Sequence, residues 1–359
     1  MAIFYLIMSV ILFCMQLISW AWLLRCFPGL GWKIPFYTSS CLTLVMLFGL
    51  TYTHTHYTGL FSSVLYYLAY ICFGLIFLSF CFCIILTVLG KILTWCHLPT
   101  GWMGVATLVT LAVVWGLSFW GGFSAPQLKR IQVRIPGAPA MKLALLSDTH
   151  LGMGVSVKRF EKVMQRIEAQ KPDALLLLGD IFEYGPNRSA YAKRIKEAVT
   201  PLGTYGVFGN HEYYVGYENS KDFFKQAGIT LLENSSALLP NGVQIAGLKD
   251  IRTAHVQAQD VARLLDGLNQ QQTIILLSHT PLLAQTAAAH GADVMVSGHT
   301  HNGQLWPFNY LVKLQFPQSY GLFDIGDMKF YITSGVFYWG IPLRFLAPSE
   351  IVIVEVLPA

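Results

Sequence analysis

The run Asp293-Val294-Met295-Val296-Ser297-Gly298-His299-Thr300-His301-Asn302-Gly303-Gln304 carries a short apolar segment straight into two histidines spaced two apart. The apolar part, bounded by glycine, reads as a buried strand. In extended backbone both rings leave on one face, and Gly298 lets the chain turn tightly. A His-x-His pair at a strand end is therefore an arrangement that can hold a metal ion. The plain alternative is two loop histidines, and the pair alone does not separate the readings. The residues upstream do.

From residue 140 onward, β-rich runs alternate with amphipathic segments. Strands are expected near 142–147, 174–179, 205–208, 273–277, 330–333 and 351–356. Helices are expected near 157–170, 189–198, 219–227 and 256–268, and Asn241-Gly242 marks a hairpin turn. This alternation, closing on strands, indicates a layered α/β or α+β domain. The informative residues are those that follow each buried strand. They are Asp148-Thr149-His150, Gly179-Asp180-Ile181-Phe182-Glu183, Gly209-Asn210-His211-Glu212, His279, and Gly298-His299-Thr300-His301. Layered α/β sheets bind ligands at the carboxyl ends of their strands. Five strand ends that each deliver Asp, His or Asn to one edge are poorly explained as loop polarity.

Carboxylate, imidazole and amide oxygen, without thiolate, suit Mn, Fe, Zn or Co better than a soft metal. The donors suffice for two ions if one carboxylate bridges. Two ions can clamp the attacking and leaving oxygens of a phosphoryl displacement and lower the pKa of a bridging water. Such chemistry also needs a proton donor beside the leaving group that is not itself a ligand.

The ordered set of motifs resembles the motif series of the calcineurin-like metallophosphoesterases. Asn210-His211-Glu212-Tyr213-Tyr214, Gly298-His299-Thr300-His301-Asn302-Gly303-Gln304 and the tail Ser334-Gly335-Val336 … Pro342-Leu343-Arg344 resemble their membrane-associated bacterial branch. The likeness covers roughly residues 140–356. It implies a four-layer α/β sandwich with a dinuclear site for two divalent ions (Mn, Zn, Fe or Mg). Carried over residue by residue, Asp148, His150 and His301 would hold the first ion and Asp180 would bridge. Asn210, His279 and His299 would complete the second. His211 would bind no metal and would stabilise the phosphorus centre or protonate the leaving oxygen. Glu183 stands where related sequences often carry Asp; it reads equally as a residue behind the ligands or as a solvated loop residue.

The first half of the chain is different in kind. Up to Pro126 it contains no Asp or Glu, and its only formal charges are Arg25, Lys33 and Lys91, whereas all 19 acidic residues come later. The net charge of +5 is thus an average over unlike halves, and the later half shows no nucleic-acid patch. Within residues 1–122, spans are expected at about 3–24, 36–53, 60–90 and 103–121; the first is long enough to cross about 30 Å of hydrocarbon, and the second, with Thr and Ser in it, is the weakest. Trp20, Trp22, Trp32, Trp95, Trp102 and Trp120 lie near the span ends, as interfacial anchors do. Gly121-Gly122 breaks the last span and opens a linker, 123–139, before a domain at 140–359. All seven cysteines fall in the apolar half, which excludes a disulfide framework or thiolate site in the polar half. Arg25, Lys33 and Lys91 favour cytoplasmic loops after spans one and three, which places the polar half outside the cytoplasm of a multi-pass inner-membrane protein. Lys129, Arg130 and Arg134 argue the other way. His54 and His56 read as interfacial loop residues rather than a metal pair.

The expected function is a membrane-anchored, dinuclear-metal phosphohydrolase, foremost a phosphodiesterase that cleaves a P–O bond with a metal-bound hydroxide. Tethering to the lipid bilayer points to a lipid-linked or nucleotide-lipid substrate. One alternative is a UDP-diacylglucosamine pyrophosphatase of lipid A biosynthesis, which requires a cytoplasmic domain. A second, of another class, is a non-catalytic, metal-stabilised membrane receptor or scaffold, which a missing ligand would favour; none is missing. Tyr184, Tyr213, Tyr214 and Tyr217 read as groove or packing residues. Asp250, Arg252 and His255 could reach the site, Arg344 could contact a phosphate, and His290 reads as a helix-end residue.

Overall fold

The computed structural model describes residues 2–359, apart from the side chains of residues 2–5 and 54–55, so His54 lies outside the described residues. The chain divides into two units. One consists of the helices α1 (Ala2–Cys26), α2 (Lys33–Thr55), α3 (Leu60–Trp95) and α4 (Met103–Phe123), joined by two later segments, Leu305–Pro307 and Gly340–Leu346.

Among the described residues, these four helices are long and apolar enough to cross a membrane. The expected span limits were each short by a few residues, because a hydropathy edge marks where apolar sequence ends and not where helical hydrogen bonding ends. α3 has 36 residues, or roughly 54 Å at 1.5 Å per residue, more than a hydrocarbon layer alone requires. Most of the side chains point outward, as lipid-facing helices require. Between the helices, Trp22 Nε1 donates to Thr107 Oγ1 at 2.9 Å and Gln16 Nε2 to Thr43 Oγ1 at 3.0 Å. With no water to compete, such bonds help fix helix partners.

Gly121 and Gly122 do not break α4, contrary to the sequence expectation. They lie inside it, and the backbone of residues 342–344 passes so close that a Cβ on Gly122 would stand 2.2 Å from Pro342 O. Arg344 is buried there, its backbone N–H on Ser118 O at 3.0 Å. Leu305, Leu343 and Phe345 complete an apolar cluster with Leu78 and Val114.

The other unit is the polar one. In chain order it runs β1 (Gln127–Ile135), β2 (Met141–Leu146), α5 (Val157–Glu168), β3 (Ala174–Leu177), α6 (Arg188–Glu197), β4 (Thr204–Gly206), α7 (Asn210–Val215) and α8 (Tyr217–Gln226). There follow β5 (Thr230–Leu231), β6 (Ser235–Leu238), β7 (Gln244–Gly247), α9 (Ala258–Asp266), β8 (Ile274–Leu277), α10 (Ala284–Ala289) and β9 (Val294–Ser297). A 3-10 turn at His301–Gly303 leads to α11 (Phe308–Gln315), β10 (Gly321–Ile325), β11 (Met328–Ile332) and β12 (Glu350–Pro358).

Two six-stranded sheets result, ordered β1-β12-β2-β3-β4-β5 and β10-β11-β9-β8-β7-β6. The period-two rule explains how they stack. In β2, Leu143 and Leu145 join the core between the sheets, against Ile275, Leu277, Val294 and Val296, while Ala144 and Leu146 face the helix layer of α5, α6 and α8. The second sheet is covered by α9 and α10 through Leu276, Met295, Val261 and Ala287. The result is the expected four-layer α/β sandwich.

One boundary needs correction. Residues 127–135, expected within a linker, pair in parallel with β12 along their whole length. Five polar or charged residues on an edge strand with one wet face disguised it as linker.

Candidate metal centre

β2, β3 and β4 are parallel neighbours in one sheet, as are β8 and β9 in the other. Their carboxyl ends therefore open at corresponding edges, and each releases one motif. The last apolar residues of these runs, Leu146, Leu178, Phe208, Leu277 and Val296, are buried, so the polar residues just beyond them emerge at fixed places. Asp148 follows β2, Asp180 follows β3, Asn210 begins α7 after β4, His279 follows β8, and His299 and His301 follow β9.

The structure brings seven of the eight candidate residues, all but Asn210, into groups of neighbouring donor atoms. Asp148, His150 and His301 form one cluster of donor atoms, Asp180, His279 and His299 a second, and His150, Glu183 and His211 a third that shares His150 with the first. In the first, His150 Nε2 and His301 Nε2 are 3.1 Å apart, and His301 Nε2 is 3.4 Å from Asp148 Oδ1. In the second, His299 Nδ1 lies 3.1 Å from His279 Nε2, which is 3.3 Å from Asp180 Oδ2. The same Asp180 oxygen is 3.9 Å from His150 Nε2, so one carboxylate oxygen lies between the clusters. Asn210 contributes a buried side-chain oxygen that accepts no hydrogen bond; an orphaned buried acceptor costs about 1–3 kcal/mol unless something else satisfies it.

The other ring nitrogens say which atoms are free to bind. His279 Nδ1 is 2.7 Å from Leu178 O, so it donates there and leaves the Nε2 lone pair facing the second cluster. His150 Nδ1 is 2.7 Å from Glu183 Oε1, which frees Nε2 for the first. Two imidazole nitrogens 3.1 Å apart need either a shared proton or a cation between them. The donor types suit divalent ions, and Asp148, His150 and His301 on one side and Asp180, His279 and His299 on the other would be the groups to hold them.

Electrostatics agree. Burial would lower the His279 pKa, but Asp180 and Asp148 outweigh it and push it up to about 10. Burial would raise Asp180, but His279 and His211 hold it well below the usual carboxylate range. These surroundings favour positive charge among the nitrogens. His299 is held down to about 4, by burial first and then by His279.

The backbone is strained here. Asp148, His150, Asp180, His299 and His301 all have left-handed φ, at 53°, 41°, 52°, 73° and 48°. Each such non-glycine conformation costs on the order of 1–3 kcal/mol and persists only where the surroundings impose it. Gly298 shows how tight they are: a Cβ there would lie 2.4 Å from Asp148 Oδ2 and 2.0 Å from Ser147 Oγ. Gly298→Ala should therefore weaken the first ion by roughly 10–100-fold, measured by competition with a chelator, while leaving the secondary-structure content unchanged.

His211 is placed differently. Its backbone N–H donates to Asp180 Oδ1 at 2.9 Å, and its ring Nε2 is 4.0 Å from Asp180 Oδ2. Its Nδ1 is 2.5 Å from Glu183 Oε1. Burial would lower its pKa, but Asp180 and Glu183 outweigh that and raise it to about 9. Glu183 is thus no solvated loop residue. It contacts both His150 and His211, and despite burial those two rings hold its pKa down to about 2.

Three residues were not singled out by sequence reasoning. Glu212, fully buried, accepts from the backbone N–H groups of Asp180, Ile181 and Gly209 at 2.7–2.8 Å and so ties two of the motif loops together. Burial first, then Asp180, raises its pKa to about 7. Trp339 lies 5.7 Å from the His211 ring and is 57% exposed. Gln304 exchanges two hydrogen bonds with the Trp339 backbone. An acidic residue following a histidine was the one available signal, for Glu212; nothing near Trp339 in the sequence marks it.

Among the residues of open role, Tyr214 stacks edgewise on His211 at 5.2 Å, and Tyr184 donates to Tyr214 O. Tyr217 bonds Glu233 instead, and Tyr213 packs against the core. Asp250 accepts from Thr280 Oγ1, and Arg252 covers Phe316, whose ring meets His299 at 5.3 Å. His290 pairs with Asp266 at a helix end, as expected.

Comparison with known proteins shows the family. The profile of the calcineurin-like phosphoesterases matches residues 141–303. An uncharacterized metallophosphoesterase of Campylobacter jejuni is 36% identical over 236 residues, 64% of this chain and 63% of its own. One from Aquifex aeolicus is 34% identical over 229 residues, 62% of this chain and 87% of its own. A Danio rerio transmembrane protein with metallophosphoesterase domain is 30% identical over 356 residues, 88% of this chain and 80% of its own.

Proposed function

Since the chain belongs to the calcineurin-like metallophosphoesterases, and is therefore a metal-dependent phosphoric ester hydrolase that spans a membrane, we propose that it is a phosphodiesterase acting on a lipid-linked substrate. The observation that carries this reading is the single Asp180 oxygen between two three-residue donor clusters, with His211 beside them and outside both. We assign Asp148, His150 and His301 to one ion, Asn210, His279 and His299 to the other, and Asp180 to both. The donor types suit Mn, Zn, Fe or Mg, with Mn favoured by the mixture of nitrogen and oxygen.

When bound, the ions supply Lewis acidity and a water of lowered pKa. The protein does the rest. Asp180 and Glu183 keep the His211 ring charged, so it enters the reaction as a proton donor and as a cation for the oxygens of the phosphoryl group. Glu183 fixes which nitrogen carries that role: with Nδ1 bound to the carboxylate, Nε2 faces the substrate side. Tyr214 and Trp339 flank the ring with exposed aromatic surface, which suits an apolar leaving group. A diester presents a leaving alkoxide that needs this proton, and its single charge suits a site with one cationic side chain. The lipid-linked part of the reading is supported by the membrane-spanning unit on the same chain. The charges after α1 and near the end of α3 support an extracytoplasmic placement of the polar unit in the inner membrane.

The test is hydrolysis of a bis-aryl phosphodiester and the matching monoester by full-length protein in phospholipid nanodiscs, after metal removal and return of Mn, Zn or Mg. Metal-dependent turnover with the diester preferred at least about tenfold, a difference of about 1.4 kcal/mol in barrier, is expected. Preference for the monoester would overturn the phosphodiesterase reading and leave the family assignment intact.

A further inference from the structure

α11 presents its apolar side to solvent. Its inward positions are Asn309, Val312 and, one turn on, Phe316, whereas Phe308, Tyr310, Leu311 and Leu314 are exposed, Leu314 by 83%. None of its eight residues is buried. A surface helix of a globular domain ordinarily keeps its exposed side polar, and clustered apolar exposure marks a contact surface. The residues just before it decide what the contact is. Leu305–Pro307 belong to the membrane-spanning unit, where Leu305 is buried with Leu78 and Val114. α11 begins at the next residue.

We propose that α11 is an interfacial helix whose Phe308, Leu311 and Leu314 enter the phospholipid bilayer surface. Short amphipathic helices of this kind bury the apolar face some 5–10 Å into the boundary between headgroups and acyl chains. The helix also packs on the His301–Gly303 turn at its start, and Phe316 just past its end meets the His299 ring. A bilayer-seated α11 therefore carries the His-x-His turn on its inner face. The proposal rests on the spans lying in a bilayer and is independent of the phosphodiesterase reading.

The test uses full-length protein in phospholipid vesicles with p-benzoylphenylalanine placed singly at Leu311 or Leu314. Val109 on α4, 57% exposed, is the lipid-facing control, and Leu238 on β6, 64% exposed, the aqueous one. All four positions are exposed, so the substitutions should be tolerated, and far-ultraviolet circular dichroism checks this. After irradiation, a mass increase of one phospholipid is expected at Leu311, Leu314 and Val109 and not at Leu238. Lipid adducts at Val109 alone would overturn the proposal, as would adducts to protein, from a second copy or another partner, at Leu311 and Leu314.

Discussion

His211→Ala should keep both metal ions and lose about 10²–10⁴-fold in turnover, the range a positioned general acid contributes. Metals should stay because His211 is outside the two clusters drawn around Asp180 and Asp148 and groups instead with Glu183 and the ring of His150. Turnover should fall because the variant removes the charged donor that Asp180 and Glu183 maintain. The loss should shrink for leaving groups of low pKa, which need the proton less. The pH profile gives a second check with a definite sign. A pKa raised to about 9 keeps the ring protonated below that value, and the proton is lost as pH rises through it. Bound cations pull the value down, so activity should fall on the alkaline side at or below about pH 9, and this limb should be missing in His211→Ala. An unchanged alkaline limb, or a variant that loses metal, would make His211 something other than the proton donor.

Asp180→Asn should lose metal and activity together. Asp180 is almost fully buried, and its pKa, held down chiefly by His279 and His211 against burial, records how strongly cationic neighbours favour its charge. Removing one partner of a buried charge set costs about 3–5 kcal/mol, or roughly 10²–10³·⁵-fold in affinity. Metal analysis after gel filtration in the presence of a weak chelator should find the variant depleted in both ions, since one oxygen lies between both clusters. Depletion of one ion only would assign Asp180 to a single ion.

The ligand positions were legible in the sequence because each lies immediately past a buried strand, where apolar runs and a following Asp, Asn or His are local signals. The four layers were legible for the same reason. What stayed hidden depends on non-local contacts. β1 carries charges because its outer face is wet, and only pairing with β12, more than 200 positions later, makes it a strand. Glu183 reads as loop polarity until the fold brings His150 and His211 to the same carboxylate oxygen. Trp339 has no ligand chemistry and reaches His211 by way of the Gln304 hydrogen bonds. The left-handed backbone of Asp148, His150, Asp180, His299 and His301 runs against local preference, as functional strain does. The segments Leu305–Pro307 and Gly340–Leu346 look like loop in sequence because nothing local says that their apolar residues are buried among span helices.

The dinuclear centre is the claim on which the rest depends. Its most direct test is electron paramagnetic resonance of metal-stripped full-length protein titrated with Mn, alongside metal analysis. Two Mn per chain with an exchange-coupled spectrum is predicted, because a single carboxylate oxygen stands between the two donor clusters. A single Mn per chain, or two with the simple hyperfine pattern of isolated ions, would contradict it.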